Sequence, residues 1–312
     1  MNNFINYNSI SIGYNNTGQE FFDIIDKYRM YIHSYFLSFN ESMMCVPYNM
    51  DDIVYTLKKC NTYDIPANIL FNTYNDDHCE MIINTAKTVI NVKAVTVLKL
   101  STARKIKEKF PDLEIHLSVR YFDWNNKSIE ELVEDLFIND RYKIIDVINI
   151  SGSKSFTDHN LMKSIQRYGI KIKLIMNESC IINRSVNFND FNGFENCKCA
   201  NAECHKFCNN VVSDYKWMEL SRINMVKEML QYYNIDILKL STRDVPDNRY
   251  IDDLLEYWTS SYNTKFIYPP YGKIDISDKY DLFLEWCKIK SNCSGFCKDC
   301  QKCKEFYDKF IS

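Results

Sequence analysis

Short apolar runs and longer amphipathic stretches alternate along most of this chain. Ile10 to Tyr14 reads as a strand and Gln19 to Arg29 as a helix, because only the second shows apolar residues at three- and four-residue spacing. Tyr31 to Phe39 is aromatic and apolar, as a buried strand is, and Asp51 to Cys60 is helical. The alternation continues with Ala67 to Phe71 and a helix from Asp76 to Thr88, then Val95 to Leu100 and Thr102 to Phe110. Glu114 to Val119 is the fifth strand and Ser128 to Leu136 its helix, and Ile144 to Ile150 the sixth with Thr157 to Tyr168. Ile172 to Met176 is the seventh. A cysteine-rich stretch then interrupts the rhythm before a helix from Lys216 to Tyr233. Ile235 to Leu240 is the eighth strand and Arg249 to Ser260 its helix.

Eight β-runs, each followed by a helix, predict an α/β protein of the (β/α)8 TIM-like barrel class. Strands this apolar suit a parallel barrel, whose strands are covered on both faces. An open doubly wound sheet is the alternative. The barrel is expected over residues 1–270, with a cysteine-rich loop at 178–212 after strand seven. Pro269-Pro270 punctuates the start of a second, cysteine-rich metal-binding extension at 271–312. In such a barrel the site lies at the C-terminal strand ends. That places Tyr14, Asn15, Asn40, Glu41, Asn72, Lys99, Ser118, Arg120, Ser151, Asn177, Glu178, Ser241 and Arg243 at the mouth.

Composition narrows the functions. With 312 residues, 46% hydrophobic and 25% charged, the chain is no disordered polymer. A net charge of −3 argues against a broad nucleic-acid-binding face, while leaving room for a local basic pocket. No apolar run reaches the roughly 18 residues of a membrane span. Met1-Asn2-Asn3-Phe4 has neither a basic nor an apolar leader segment, so a cytoplasmic chain without signal peptide is expected. The seven glycines form no G-x-G-x-x-G and no phosphate-binding G-x-x-x-x-G-K-[ST], which argues against a glycine-fingerprint dinucleotide fold and a Walker-type NTPase.

Cysteine is the anomaly. There are thirteen, an odd number, and in a cytoplasmic chain thiols mean metal or catalysis more than disulfides. One group is Cys180, Cys197, Cys199, Cys204 and Cys208. Cys204-x3-Cys208 is a good chelating pair, whereas both thiolates of Cys197-x-Cys199 are too close in sequence to reach one centre easily. Four thiolates suit an iron–sulfur cluster or tetrahedral zinc. The loop is polar and rich in Asn, so a metal would organise it. His205 is an alternative ligand, and Cys45, just past strand two, could meet this group at the barrel mouth. The second group is Cys293, Cys297, Cys300 and Cys303. Such a short run favours a cluster, with zinc as the alternative at this C-terminal site. Its C-x3-C-x2-C part resembles the cluster signature of radical S-adenosylmethionine enzymes. Here, however, no barrel follows it, and a fourth cysteine fills the iron position which that chemistry needs open.

Other positions read more blandly. Ser151-Gly152-Ser153-Lys154 could cradle an anion at a helix start, but a turn with Thr157 as N-cap is the simpler reading. His116 reads as a satisfied core histidine, His78 and His159 as solvated helix starts, and Arg104 to Lys109 as a solvated helix face. Arg120 and Arg243 end strands at the mouth, where arginine suits a carboxylate or phosphate. An ion pair with Asp123 or Asp244 is the alternative.

The run Ile172-Lys173-Leu174-Ile175-Met176-Asn177-Glu178-Ser179-Cys180, with Arg184 after it, resembles the seventh strand and cysteine loop of the peptidase U32 family. Ile115 to Val119 and the lysine–serine–arginine end of Ile237 to Arg243 resemble that family's strands five and eight. The resemblance covers Ile10 to Trp258 as a pattern of strands and loops. It implies a TIM barrel, either a collagenase-like peptidase or an iron–sulfur protein of oxygen-independent hydroxylation acting on ubiquinone precursors or RNA. It also implies a [4Fe–4S] cluster at the mouth, with Cys180, Cys204 and Cys208 as ligands and Cys197, Cys199 or Cys45 as the fourth. The long loop before Cys204 and the cysteine-rich tail depart from the family pattern.

These readings give, as the leading expectation, an iron–sulfur redox enzyme with two clusters. Arg120, Arg243, Arg184 and Glu178 would serve an anionic or aromatic substrate, of peptide, RNA or small-molecule kind. The alternatives are a peptidase, a metal-bearing barrel that docks a protein partner without catalysis, and a radical S-adenosylmethionine enzyme. For the peptidase, no Ser/His/Asp order, H-E-x-x-H or Cys–His pair is evident.

Overall fold

The structure is a computed structural model. It describes residues 8–39, 50–60, 64–71, 78–119, 144–151, 159–176, 235–242, 247–259, 266–267, 274–275, 277–282, 285, 305 and 309. The eight β-runs are strands β1 (Ile10–Gly13), β2 (Ile32–Leu37), β3 (Ala67–Phe71), β4 (Val92–Val97), β5 (Glu114–Leu117), β6 (Val147–Ser151), β7 (Lys171–Ile175) and β8 (Ile237–Leu240). They close into one barrel in chain order, and every neighbouring pair is parallel. β8 completes the ring on β1, with Ile10 opposite Leu238 and Ile12 opposite Leu240. Thr242 ties the closure by donating from Oγ1 to the Gly13 carbonyl at 2.5 Å. The (β/α)8 expectation is borne out, and the open sheet is not.

The described helices are α1 (Gln19–Lys27), α2 (Met50–Cys60), α3 (Cys79–Lys87), α4 (Leu100–Lys109), α5 (His159–Arg167) and α6 (Asn248–Thr259). Strand four is the one clear displacement from the sequence reading, lying three residues earlier. Leu100 looks like the end of an apolar strand, but Lys99 is the extended N-cap (φ −122°, ψ 143°) and Leu100 opens α4. A short antiparallel pair, β9 (Phe266–Ile267) with β10 (Ile274–Asp275), follows the barrel. No helix among the described residues is long and apolar enough to cross a membrane.

Strand alternation divides the residues into two sets. Ile10, Ile12, Tyr35, Leu37, Ile69, Val95, Ile115, Ile148, Ile172, Leu174 and Leu238 join the helix side chains in one continuous apolar cluster. α1 contributes Phe21, Phe22 and Ile25, all buried. The other set faces the barrel axis and is far more polar, with Ser11, Ser34, Asn68, Thr96, His116, Asn149 and Lys173 all buried. α6 is fastened to α1 across the closure, where Lys27 meets Asp252 at 3.0 Å and the Tyr28 hydroxyl donates to the same carboxylate at 2.9 Å.

Gly18 caps the start of α1 at φ 68°, ψ −129°, a backbone region that L side chains rarely adopt. A Cβ there would meet nothing within 4 Å, so the strain is conformational and not steric. Gly18→Ala is expected to cost about 1–3 kcal/mol, read as a lower urea midpoint at unchanged slope.

Candidate functional site

The barrel axis holds a chain of polar contacts that links β3, β4 and β5. Thr96 on β4 donates from Oγ1 to Asn68 Oδ1 at 2.9 Å. That fixes the Asn68 amide, so its Nδ2 donates to His116 Nδ1 at 2.9 Å. His116 therefore carries its proton on Nε2, which faces Glu114 Oε2 at 3.4 Å. Glu114 also accepts from Lys171 Nζ at 2.9 Å. The hydrogen bond from His116, ahead of that from Lys171, holds the Glu114 carboxyl well below the usual carboxylate range in spite of its burial.

His33 joins this layer from β2. Its Nδ1 lies 3.1 Å from Ser34 Oγ, and Ser34 lies 3.2 Å from Ser11 Oγ. Burial first, then the Lys173 charge, pushes His33 down to about 4. Burial likewise pushes His116 down to about 3. Both rings are neutral at pH 7, so the 3.9 Å approach of His33 Nε2 to Glu114 is not an ion pair.

Nearer the C-terminal rim the interior holds two lysines. Lys173 on β7 is 1% exposed. Its Nζ lies 5.9 Å from the centre of the Phe36 ring, across the barrel on β2. Lys239 on β8 is partly exposed, and its ammonium lies 4.4 Å from the same ring. Lys239 is opposite Ile175, two residues past Lys173 along β7, so it sits closer to the rim. Asn149 is the register partner of Lys173. Asn149 donates to the Leu117 carbonyl at 2.8 Å, while its buried Oδ1 has no hydrogen-bond partner.

The mouth residues read from sequence divide in three ways. Arg120, Arg243, Arg184, Glu178, Asn177, Asn40, Glu41 and Asn72 lie outside the described residues. So do Cys45, Cys180, Cys197, Cys199, Cys204, Cys208, Cys293, Cys297, Cys300, Cys303, His205 and the segment 152–158. Ser118 is buried at the end of β5. Tyr14 is not at the mouth. It follows Ile10 and Ile12 on the outer face and packs against Phe21 at 5.2 Å and Phe22 at 5.6 Å. Asn15 is structural, donating to Asn248 Oδ1 at 2.9 Å and accepting from Thr17. His116 is the satisfied core histidine expected of it.

Sequence reasoning gave no role to Lys173, Asn68 or His33, which lie within apolar strands. Among the described residues no group of three or more His, Cys, Asp or Glu side chains could hold a metal. Cys60 and Cys79 are buried and in no disulfide. Burial pushes the Cys60 thiol up to about 12, beside the Tyr14 and Tyr35 hydroxyls, so it stays protonated and is no thiolate ligand.

No protein-family model matches the chain, and no curated protein matches it. Solved structures do. One is a U32 peptidase. It is 10% identical with a TM-score of 0.43, over 77% of this chain and 94% of that one. Another is the tryptophan synthase alpha-subunit of the hyperthermophile Pyrococcus furiosus, in a mutant form. It is 10% identical with a TM-score of 0.48, over 81% of this chain and 98% of that one. At such identity these are likenesses of fold, and the chemistry has to be argued from this chain's own residues.

Proposed function

We propose that the chain is an iron–sulfur redox enzyme of U32-like kind, working at the C-terminal rim of its barrel on an anionic or aromatic substrate. The observation that carries this reading is the ring closure. β2 and β7 run parallel in one barrel, so the segments following them in sequence, with Cys45 and with Cys180 to Cys208, start from the same rim. The donor set fits the group, since a [4Fe–4S] cluster takes four thiolates and this segment supplies five with one more after β2. Bound there, the cluster would supply one-electron transfer.

The chain's own residues would do the rest. Lys239 and the Phe36 ring offer a cation and an aromatic face just inside the rim. Arg120 and Arg243 follow β5 and β8 in sequence, and Arg184 and Glu178 follow β7, from where they would orient a carboxylate or phosphate. Modification of a peptide, an RNA or a small aromatic compound without molecular oxygen is the reaction class that joins these parts. Cys293, Cys297, Cys300 and Cys303 would hold a second centre, structural or relaying.

Protein purified without oxygen is expected to carry about eight iron and eight sulfide per chain, with broad absorbance near 400 nm. Cys180→Ser is expected to remove about half of the iron. Stoichiometric zinc without iron would overturn the reading, as would peptide hydrolysis that survives metal depletion.

A further inference from the structure

Lys173 is a buried amine. Among the described residues no carboxylate lies within salt-bridge distance, and Glu114 is committed to His116 and Lys171. Such a group is expensive to keep in a core, and a methionine would fill the same space without the desolvation cost. Its register partner Asn149 presents a buried acceptor, Oδ1, without a hydrogen-bond partner. Phe36 forms an aromatic wall, and Lys239 stands between this pair and the rim. A buried amine, an acceptor without a donor, an aromatic face and a second lysine nearer the rim together suit an organic anion.

We propose that Lys173 is an amine nucleophile that condenses with the carbonyl of a 2-oxo acid, with Lys239 attracting the carboxylate and Phe36 flanking the substituent. The proposal stands on the barrel interior alone and goes beyond the cluster reading, so it holds or fails whether or not iron is found. The lone pair of Lys173 Nζ attacks the carbonyl carbon and a C–N bond forms. The carbonyl oxygen leaves as water, with one proton from the amine and one from solvent, and the iminium keeps the other N–H. Nothing is oxidised or reduced. Asn149 Oδ1 accepts a hydrogen bond from the carbinolamine hydroxyl on the way. The step needs an unprotonated amine near pH 7. Burial first, and the Lys239 charge second, push the Lys173 ammonium well below the ordinary lysine range.

The test is trapping. The protein is incubated at pH 7 with pyruvate or phenylpyruvate and sodium cyanoborohydride, which delivers hydride to an iminium, and modified lysines are mapped by peptide mass. One adduct per chain is expected, at Lys173 and not at exposed lysines such as Lys105. Lys173→Met should abolish the adduct while leaving the melting temperature unchanged or higher. Lys239→Met should move the labelling profile to more alkaline pH as the neighbouring charge is lost. Mapping of the unaltered protein decides the matter even if a variant fails to fold. Absence of a Lys173 adduct with both acids, or labelling spread over surface lysines without enrichment at Lys173, would overturn the proposal.

Discussion

Lowering the pH from 6.5 to 4 is expected to remove on the order of 3 kcal/mol of stability for each of two buried histidines. His33 and His116 are 5% and 0% exposed. Burial holds them down to about 4 and about 3 from an ordinary value of 6.5. In that window the unfolded chain binds protons that the folded chain refuses, so the unfolded state gains and stability falls as the pH drops. Glu114 works in the same sense further down. Its folded carboxyl is depressed, so its contribution is present above the unfolded value of 4.5 and is lost as the pH falls through the folded one. The two histidine contributions together reach the lower end of an ordinary domain's stability, about 5–15 kcal/mol, so a marked loss of stability towards pH 4 is expected. Urea titrations at pH 7, 6, 5 and 4 measure this. Constant stability from pH 7 to 5 would mean that the rings are hydrated and charged in the folded state. His116→Leu should flatten the slope, at a penalty of its own from the orphaned Asn68 amide.

Phe22→Ala is expected to cost about 3–5 kcal/mol. Phe22 is wholly buried and is the hub by which α1 is seated on the barrel. It meets Phe21 edge-on at 5.3 Å and Tyr35 edge-on at 5.1 Å, with Tyr14 tilted at 5.6 Å. Such aromatic pairs add about 0.5–1.5 kcal/mol each beyond the area they bury. The void left by truncation has walls from a helix and two strands, so it cannot collapse without moving the ring. Phe22→Leu should recover about half of the loss. The reading is a drop in the urea midpoint, and a drop worth less than about 1 kcal/mol would mean that α1 is not fixed to the barrel through this residue.

The ring of eight strands was legible because a parallel barrel buries both faces of each strand and so leaves unusually apolar runs. What stayed hidden was the role of the polar residues inside those runs. Helices cover the outer face of the barrel, so the apolar Ile172 and Leu174 belong outside and Lys173 falls on the axis. Asn68 and His33 were likewise not singled out, because their partners come from other strands. Tyr14 was placed at the mouth by its position after β1, whereas the two-residue repeat Ile10, Ile12, Tyr14 already put it on the helix side. His116 was legible as core from its apolar neighbours, but its tautomer depends on Thr96 and Asn68, brought to it only by strand pairing. The cysteine groups and the rim arginines lie outside the described residues.

Closing the ring on itself also sets a timetable. Gly13 receives its bond from Thr242, and Ile10 its partner Leu238, so the first strand waits for the last. At about 5–20 residues per second, a ribosome needs roughly ten to fifty seconds to travel that distance. Throughout that time β1 has one bare edge, and the barrel's lysines face an unfinished wall. Contacts this remote in sequence also slow the final step. The nascent chain is therefore the form of this protein that most needs a chaperone, and removing β8 would cost the cell the whole barrel rather than one eighth of it.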